Sequence, residues 1–317
     1  MEEHRGKTTF NDADLLAALA SCPVDEGSYS QADGIDLRDY DTFYRLDFDN
    51  TTRTIGVVAV AGERIAVQTF CPAKLKRWAV VSHGYYDHVG LYGHLIQQLL
   101  NRQVGVLIFD HIGHGLSTGS EATISSFQCY VDVLACIHKL APDIIGCEPF
   151  HWIGQSMGGA VLMEYEQQNA LAPSGEFILL APLIRPYGWS ALKWYFALIK
   201  HWITARPRDL RSNMPKPFMR FLAADPLQAK TLPVAWVQAM VNWFKQFENY
   251  PGSRVEARIV HGGNDKTVSY RHNLPLLDRR YQRGSILTIP EARHHLVNET
   301  PRIQSLIWQW LDDECCW

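Results

Sequence analysis

Eight short runs of apolar residues recur along the chain and predict β-strands. They span residues 54–62, 64–70, 78–84, 104–110, 150–156, 176–182, 255–263 and 285–290. The first two runs are joined by a short turn that contains glycine, and they alternate weakly between apolar and polar positions, which predicts an antiparallel hairpin. The later runs are nearly continuous in Val, Ile, Leu and Phe, as expected of strands buried on both faces.

Helical periodicity separates the later strands. Apolar residues recur every three or four positions at 88–103 and 125–140, and a further helix is predicted through 160–168. Because strands and helices alternate, the sequence predicts an α/β fold. Its mostly parallel, eight-stranded sheet is expected to carry helices on both faces.

One region interrupts the alternation of strands and helices. Residues 189–203 are apolar around most of a helix circumference, 204–220 are basic and rich in proline, and 234–247 are amphipathic. None of these segments shows the pattern of a strand. An inserted helical lid over residues 184–250 is therefore predicted.

The rest of the chain divides into a core and an N-terminal extension. The predicted core comprises residues 51–183 and 251–317, which hold all eight strands. Residues 1–50 precede the core, and we expect them to form either a strap over it or a partly disordered segment.

Composition and charge are those of an ordinary globular protein, with 47% hydrophobic and 20% charged residues. The net charge of -3 gives no electrostatic basis for a nucleic-acid partner. The N-terminus lacks the basic start and apolar core of a secretory signal, and no stretch approaches the roughly 20 apolar residues of a membrane-spanning helix. The seven cysteines include no CxxC pair, which is typical of reduced thiols. A cytoplasmic location is therefore predicted.

The sequence GQSMG at 154–158 matches the G-x-S-x-G motif of a nucleophile elbow. In that motif a sharp turn between a strand and a helix holds the serine in a strained backbone conformation, and glycines two before and two after it remove clashing side chains. The predicted strand and helix flank the motif here, and Gly159 adds a further small residue. Ser156 is therefore predicted to be a nucleophile; the alternative is a small residue in a tight turn.

With this motif in its context, the chain resembles the α/β-hydrolase fold, in particular the monoacylglycerol lipase and lysophospholipase branch. The resemblance covers roughly residues 50–312 and is looser in the lid. Members often carry His before the serine, where this chain has Gln155. The resemblance implies a serine hydrolase that cleaves carboxylic esters of lipid-like substrates and needs no cofactor.

The resemblance also implies an acid after the seventh strand and a histidine base after the eighth. Asp265 lies in a glycine-rich turn after the seventh strand and is the predicted acid; the alternative is an aspartate that only stabilises the turn. Asp225 is the other candidate acid, but it fits better as a helix start within the lid. The family pattern places the catalytic histidine five residues before a glutamate. Glu299 therefore selects His294 as the base, with its neighbour His295 as the alternative.

Two backbone amides are expected to form the oxyanion hole. One belongs to Met157, directly after the nucleophile. The other is assigned by position to Tyr85, in the loop SHGYYDHVG at 82–90, which resembles the His-Gly loop of the family. Tyr85 and its neighbour Tyr86 are expected to narrow the acyl pocket or to add a hydroxyl to it.

A metal site or a cofactor site is the alternative to this hypothesis. His111 and His114 are three residues apart with Asp110 beside them, but the chain has no HExxH or H-x-H-x-D-H pattern. The loop is therefore expected to pack under the active site without a metal. The chain has no GxGxxG and no Walker loop, so no cofactor is predicted.

The aromatic residues of the predicted lid bear on substrate choice. Such an apolar surface packs on the core, lines an acyl channel or rests on a membrane, which makes peripheral membrane contact an open alternative. The predicted substrate-binding residues are Tyr86, Trp189, Trp194, Trp202 and Trp236.

The sequence thus predicts a serine-dependent hydrolase that cleaves monoacylglycerol or lysophospholipid through an acyl-enzyme on Ser156. A carboxylesterase, a thioesterase or an aminopeptidase shares the same triad. Dehalogenases and epoxide hydrolases are disfavoured, because they carry aspartate at the elbow. Two other classes stay open: a ligand-binding homologue without catalysis, and a peripheral membrane protein whose lid is the functional part.

Overall fold

The computed structural model describes residues 12–169, 171, 173–189, 203–207 and 214–317. Within these ranges a central sheet has nine strands, in the order β1-β2-β3-β5-β4-β6-β7-β10-β11. Its strands are β1 (Tyr29–Gln31), β2 (Thr51–Val60), β3 (Glu63–Pro72), β4 (Arg77–Ser82), β5 (Val104–Phe109), β6 (His151–Gln155), β7 (Phe177–Leu180), β10 (Ala257–Gly262) and β11 (Ser285–Ile289).

All eight predicted strands are present within a few residues of their predicted bounds. The first three pairings, from β1 to β5, are antiparallel, and the strands from β5 through β11 are parallel. β5 is buried at every position, as expected of a strand covered on both faces. The predicted α/β fold with a mostly parallel sheet is confirmed.

Helices cover both faces of the sheet. The α-helices of the described ranges are α1 (Asp12–Ser21), α2 (Arg38–Tyr44), α3 (Gly93–Asn101), α4 (Gln128–Ile145), α5 (Met157–Asn169), α6 (Lys216–Ala224), α7 (Val234–Phe247), α8 (Tyr270–Arg280) and α9 (Pro301–Glu314). The helix predicted at 88–103 begins later than expected, because Val89–Tyr92 forms a 3-10 turn ahead of α3.

Alternate residues of the central strands contribute their side chains to two separate hydrophobic clusters. Val81 and Ile108 pack with the helices α1, α2, α3 and α9, whereas Val80 and Leu107 pack with α4, α5, α7 and α8. The side chains of a strand point to opposite faces in turn, so the sheet separates the two clusters. Fully burying such a side chain stabilises the fold by about 1.5–3 kcal/mol.

The strand order reverses at β4, which lies between β5 and β6. In open parallel sheets, ligands bind outside the carboxyl ends of the strands at such a point. Here the carboxyl end of β4 leads into His83 and that of β6 into Ser156. The fold therefore brings the loop after β4 and the predicted elbow to one crevice.

The prediction of eight strands was one too few. The ninth, β1, pairs antiparallel with β2, and Ser30 lies opposite Val57. Its three residues are too few and too polar to show strand periodicity. Earlier in the extension, Leu15 and Leu19 are buried in the first cluster. The described part of the extension therefore packs on the core.

The insertion is the region between β7 and β10. It contains α6, α7 and a small antiparallel ribbon of β8 (Ala205–Pro207) and β9 (Thr231–Pro233). The ribbon was not predicted, because strands of three residues leave no periodic signal. The boundaries of the lid at 184–250 and of the core segments stay predictions. No helix within the described ranges is both long and apolar enough to cross a bilayer.

Candidate active site

Ser156 occupies a sharp turn between β6 and α5, with a φ of 53°. A non-glycine residue in this left-handed region persists only when its surroundings fix it. The Ser156 amide donates to the Leu180 carbonyl at 2.8 Å, and its own carbonyl accepts from Ala160 and Leu183 at 3.1 and 3.0 Å. The neighbouring strand and the first helical turn thus hold the serine in its strained conformation.

Two glycines of the motif are required by the close approach of neighbouring backbone. A Cβ on Gly158 would lie 2.0 Å from the Ser82 carbonyl oxygen, and one on Gly154 would lie 2.6 Å from the Gly159 nitrogen. Neither neighbour is the movable end of a side chain. The glycines let α5 begin directly against β4.

The structure brings Ser156, His294 and Asp265 together in one chain of hydrogen bonds. The Ser156 Oγ lies 2.9 Å from His294 Nε2, and His294 Nδ1 lies 2.7 Å from Asp265 Oδ2. Because the carboxylate only accepts, His294 carries its proton on Nδ1 and presents a lone pair to the serine hydroxyl. Ser156 and His294 each expose 6% of their surface.

The alternative acid and base make other contacts. His295 Nε2 donates to Asp87 Oδ1 at 2.9 Å, and Asp225 Oδ2 accepts from His88 Nε2 at 2.9 Å. The expectation that Asp225 starts a helix was wrong. It follows the last residue of α6, and its side chain caps the next turn by accepting from the Leu227 amide.

His294 and Asp265 each shift the pKa of the other toward its charged form. Burial by itself would lower the pKa of His294, but the Asp265 carboxylate and its hydrogen bond outweigh burial and raise that pKa above its ordinary value. Burial would raise the pKa of Asp265. His294 and the amides of Thr267 and Val268 outweigh burial and lower it. Asp265 is thus prepared to stabilise an imidazolium.

Gln155 contributes a contact that sequence reasoning missed. Its Nε2 donates to the His294 carbonyl at 3.0 Å and so ties the elbow to the loop of the histidine. The resemblance showed only that relatives often carry His at this position. No local signal in the sequence links it to a residue 139 positions away.

The predicted oxyanion loop, residues 83–89 after β4, faces the elbow across the crevice. Gly84 donates its amide to Tyr92 Oη at 2.9 Å, and that hydroxyl donates to Asp87 Oδ2 at 2.9 Å. Tyr85 lies between Gly84 and Tyr86, and Tyr86 has a φ of 70°. On the other side of the crevice, Met157 is the first residue of α5, so its amide has no partner within the helix. Both predicted donor residues are thus on adjoining elements, and their role as oxyanion donors stays a prediction.

The comparisons with known proteins agree with this geometry. The family model of serine aminopeptidase S33 matches residues 73–301. The chain belongs to this family. Monoglyceride lipase from Mus musculus is 26% identical over 241 residues, which cover 72% of this chain and 78% of that protein. Monoacylglycerol lipase from Mycolicibacterium smegmatis is 24% identical over 273 residues, which cover 81% and 94%.

Solved structures show the same fold for this S33 family member. A soluble variant of monoglyceride lipase from Saccharomyces cerevisiae, in complex with a substrate analog, superposes with a TM-score of 0.70 at 18% identity and covers 84% of this chain and 97% of that one. A carboxyl esterase from Bacillus coagulans in complex with glycerol gives a TM-score of 0.66 at 17% identity, with 83% and 97% covered. The resemblance drawn from the sequence is confirmed.

His83, which follows β4, and His111, which follows β5, are fully buried with their ring centroids 4.5 Å apart. His83 Nε2 accepts from the His111 amide at 2.9 Å, and His111 Nε2 lies 2.9 Å from Ser82 Oγ. Burial lowers the pKa of His83 to about 3 and that of His111 well below its ordinary value, so both rings are neutral. In the part of the chain that the structure describes, no group of three or more His, Cys, Asp or Glu is arranged to hold a metal ion.

Aromatic rings join the oxyanion loop to the insertion. The rings of Tyr85 and Trp236 stack with centroids 3.6 Å apart and an interplanar angle of 15°. The Tyr85 hydroxyl donates to the Ala122 carbonyl at 2.7 Å, and the Tyr86 ring lies 4.1 Å from that of Tyr85. Trp189 instead packs edge-on against Phe244. Trp194 and Trp202, two predicted substrate-binding residues, lie outside the described residues.

Proposed function

We propose that the protein is a serine hydrolase that cleaves carboxylic esters of monoacylglycerols through an acyl-enzyme on Ser156. The observation that carries the proposal is the hydrogen-bonded chain from Ser156 through His294 to Asp265, at the elbow of a chain similar to monoglyceride lipases. The prediction of an ester hydrolase on an α/β-hydrolase fold is confirmed by the family and its lipase and esterase relatives.

In the first half of the reaction, Ser156 Oγ attacks the ester carbonyl carbon while His294 Nε2 takes the hydroxyl proton. The carbonyl oxygen becomes an oxyanion, which the amides of Met157 and Tyr85 stabilise. Collapse of the intermediate breaks the bond to the glycerol oxygen. His294 gives that oxygen its proton, and glycerol leaves.

In the second half, water attacks the acyl-enzyme. His294 takes one proton of the water, the second oxyanion forms on the same two amides, and a fatty acid leaves as Ser156 regains its proton. Asp265 keeps His294 in the tautomer that the first step needs and stabilises the imidazolium in both halves. The chemistry uses only side chains and backbone amides.

The aromatic contacts support a wall for the acyl group. Tyr85 and Trp236 are packed face to face beside the oxyanion loop, and the Tyr85 hydroxyl is engaged by the Ala122 carbonyl. This wall is therefore apolar toward substrate. Tyr86 adjoins it, and Trp189, Trp194 and Trp202 stay predicted substrate-binding residues.

An aminopeptidase is the second activity that the family description raises, and the charges of the site weigh against it. A substrate with a free amino group needs a carboxylate to receive that group. Among the residues that the structure describes here, the carboxylates of Asp87, Asp225 and Asp265 are each paired with a histidine. The buried Asp110 carboxylate accepts from the amides of Val89 and Leu116. An uncharged glycerol ester needs no carboxylate partner in the site.

The test is hydrolysis by purified protein across a panel of substrates. The panel holds a monoacylglycerol, a lysophosphatidylcholine, an acyl-CoA, p-nitrophenyl esters of increasing chain length and an aminoacyl p-nitroanilide. Wild type is compared with Ser156→Ala and with Ser305→Ala, an exposed serine on α9. We expect release from the monoacylglycerol, a fall in kcat of about 10⁶-fold in Ser156→Ala, and an unchanged rate in Ser305→Ala.

The other outcomes separate the rival activities. Turnover of short esters alone would favour the carboxylesterase, and turnover of the acyl-CoA alone would favour the thioesterase. Absence of any serine-dependent turnover would leave a ligand-binding homologue. A fluorophosphonate is expected to label wild type and Ser305→Ala but not Ser156→Ala.

A cytoplasmic location, with peripheral membrane contact through the insertion, remains part of the proposal. The lipid-like substrate and the aromatic residues of the insertion support the membrane contact. Co-sedimentation with phosphatidylcholine liposomes tests the membrane contact, and protein that stays in the supernatant would oppose it.

A further inference from the structure

A short segment of the insertion, residues 225–228, makes two hydrogen bonds to the oxyanion loop. Gln228 Nε2 donates to the Tyr86 carbonyl at 3.0 Å, and Asp225 Oδ2 accepts from His88 Nε2 at 2.9 Å. The two contacts join residues 142 and 137 positions apart in the chain. The segment therefore links the insertion directly to the backbone beside Tyr85.

The first contact falls on a strained residue. Tyr86 has a φ of 70°, and a non-glycine residue keeps this strained conformation only where its surroundings fix it. On the other side of Tyr85, the Gly84 amide is fixed by Tyr92 Oη at 2.9 Å. The amide of Tyr85 thus lies between one anchor from the core and one from Gln228.

The second contact is a buried ion pair. His88 is fully buried and Asp225 exposes only 6% of its surface. Burial would lower the pKa of His88, but Asp225 outweighs burial and raises it. Likewise His88, with the hydroxyl of Tyr44 and the amide of Leu227, lowers the pKa of Asp225 against the effect of burial. Losing one member of such a pair strands the other charge, so the contact resists displacement.

Asp225 is itself held in place from the N-terminal extension. Its Oδ1 accepts from Tyr44 Oη at 2.6 Å and from the Leu227 amide at 3.0 Å. Below the loop, the Val89 amide donates to Asp110 Oδ1 at 2.7 Å. The oxyanion loop is therefore fixed to the core at its ends and to the insertion between them.

We propose that Gln228 and Asp225 are positioning residues that hold the Tyr85 amide in the geometry that stabilises the oxyanion. The inference rests on the proposed function, because it assigns these residues to the same esterase site. Neither side chain touches the reacting atoms. They act through the Tyr86 carbonyl and through His88. The position of the insertion therefore affects the geometry of the oxyanion hole.

The test replaces Gln228 with methionine, which keeps an unbranched side chain of similar length but removes the donor. Gln238→Met is the matched control, because Gln238 is an exposed residue of α7 that bonds only locally, to Asn242. Steady-state kinetics on a p-nitrophenyl ester are combined with inhibition by an alkyl boronic acid. The boronate adduct on Ser156 places an oxygen in the oxyanion hole and so reports transition-state binding.

In Gln228→Met we expect kcat to fall about 10- to 100-fold, as for a small misplacement of a catalytic group. The inhibition constant of the boronic acid should rise by the same factor, while KM changes little. Gln238→Met should behave as wild type. A structural role alone would lower the amount of active enzyme, counted by fluorophosphonate labelling, and leave the boronate affinity per active site unchanged.

Asp225→Asn supplies a second, nearly isosteric variant, and we expect the same parallel loss. Unchanged kcat and boronate affinity in the folded Gln228→Met protein would overturn the inference, and so would a fall in kcat without weaker boronate binding. Failure of the proposed function is a different result, since wild type itself would then show no esterase turnover.

Discussion

At the scale of single residues, His294 is constrained at three points. Ser156 and Asp265 occupy its two ring nitrogens, and Gln155 holds its backbone carbonyl. The pKa of the ring reflects two opposing effects, burial that lowers it and the Asp265 charge that raises it. Without the Asp265 charge, only the charge of Asp87 among these causes still opposes burial, so the pKa of His294 should fall.

Asp265→Asn should therefore change both the rate and the pH profile of the proposed reaction. We expect kcat to fall by about 10⁴-fold, because the amide no longer fixes the tautomer. The acidic limb of kcat/KM should move to lower pH, because a less basic His294 stays neutral there. The measurement is the pH dependence of p-nitrophenyl ester hydrolysis, with the exposed Asp278→Asn as control. An acidic limb that moves to higher pH would contradict the assignment.

The sequence predicted these residues through motif and order along the chain. It could not predict the pairing of Asp87 with His295 or of His88 with Asp225. Each of these pairs joins residues more than a hundred positions apart. An isolated Asp-His or His-His dipeptide carries no information about a distant partner, so only the fold reveals these contacts.

At the scale of elements, the start of α5 is fitted against the end of β4 with no room for a side chain. A Cβ on Gly158 would lie 2.0 Å from the carbonyl oxygen of Ser82 and 2.6 Å from that of His83. Both obstacles are backbone atoms of the segment that leads into the oxyanion loop. Any side chain at this position would have to push the elbow away from that loop.

Gly158→Ala is accordingly expected to lower the free energy of unfolding by about 3 kcal/mol, the upper end of ordinary overpacking, and to abolish turnover. Gly93→Ala is the control. Its Cβ would meet its nearest atoms at 3.5 Å, and its φ is that of a helix. We expect a change within about 1 kcal/mol for this control. Urea unfolding of both variants decides the matter, and a Gly158→Ala protein as stable as the control would refute the packing argument.

Long, strongly patterned elements were predictable from the sequence, and short ones were not. The buried runs of β4 to β7 and the amphipathic α7 show their periodicity in the chain. β1, β8 and β9 have three residues each, and their pairing is decided by neighbours distant in sequence. Gly56 is an example. A Cβ at this position would clash with the ring of Tyr29, so the glycine allows β1 to pair at the edge of the sheet.

At the scale of the whole molecule, the insertion contributes to both hydrophobic clusters. Leu222 of α6 packs in the cluster that holds the N-terminal helices, whereas Trp243 and Phe247 of α7 pack in the cluster on the opposite face of the sheet. The buried pair of Asp225 with His88 adds a polar tie. A sequence read in segments suggests a separate lid, but these contacts predict that the described part of the insertion unfolds together with the core.

Phe247→Ala tests this cooperativity. The Phe247 ring packs against Trp243 with centroids 5.1 Å apart and lies under the Arg280 guanidinium at 5.5 Å, so truncation leaves a cavity between α7 and α8. We expect a loss of about 3–5 kcal/mol and a lower Tm in scanning calorimetry. The transition should stay single if the insertion and the core form one cooperative unit. Equal calorimetric and van't Hoff enthalpies would show this. Gln238→Ala, on the exposed face of the same helix, is the control and should leave Tm unchanged. A second transition at lower temperature in Phe247→Ala would mean that the insertion unfolds by itself.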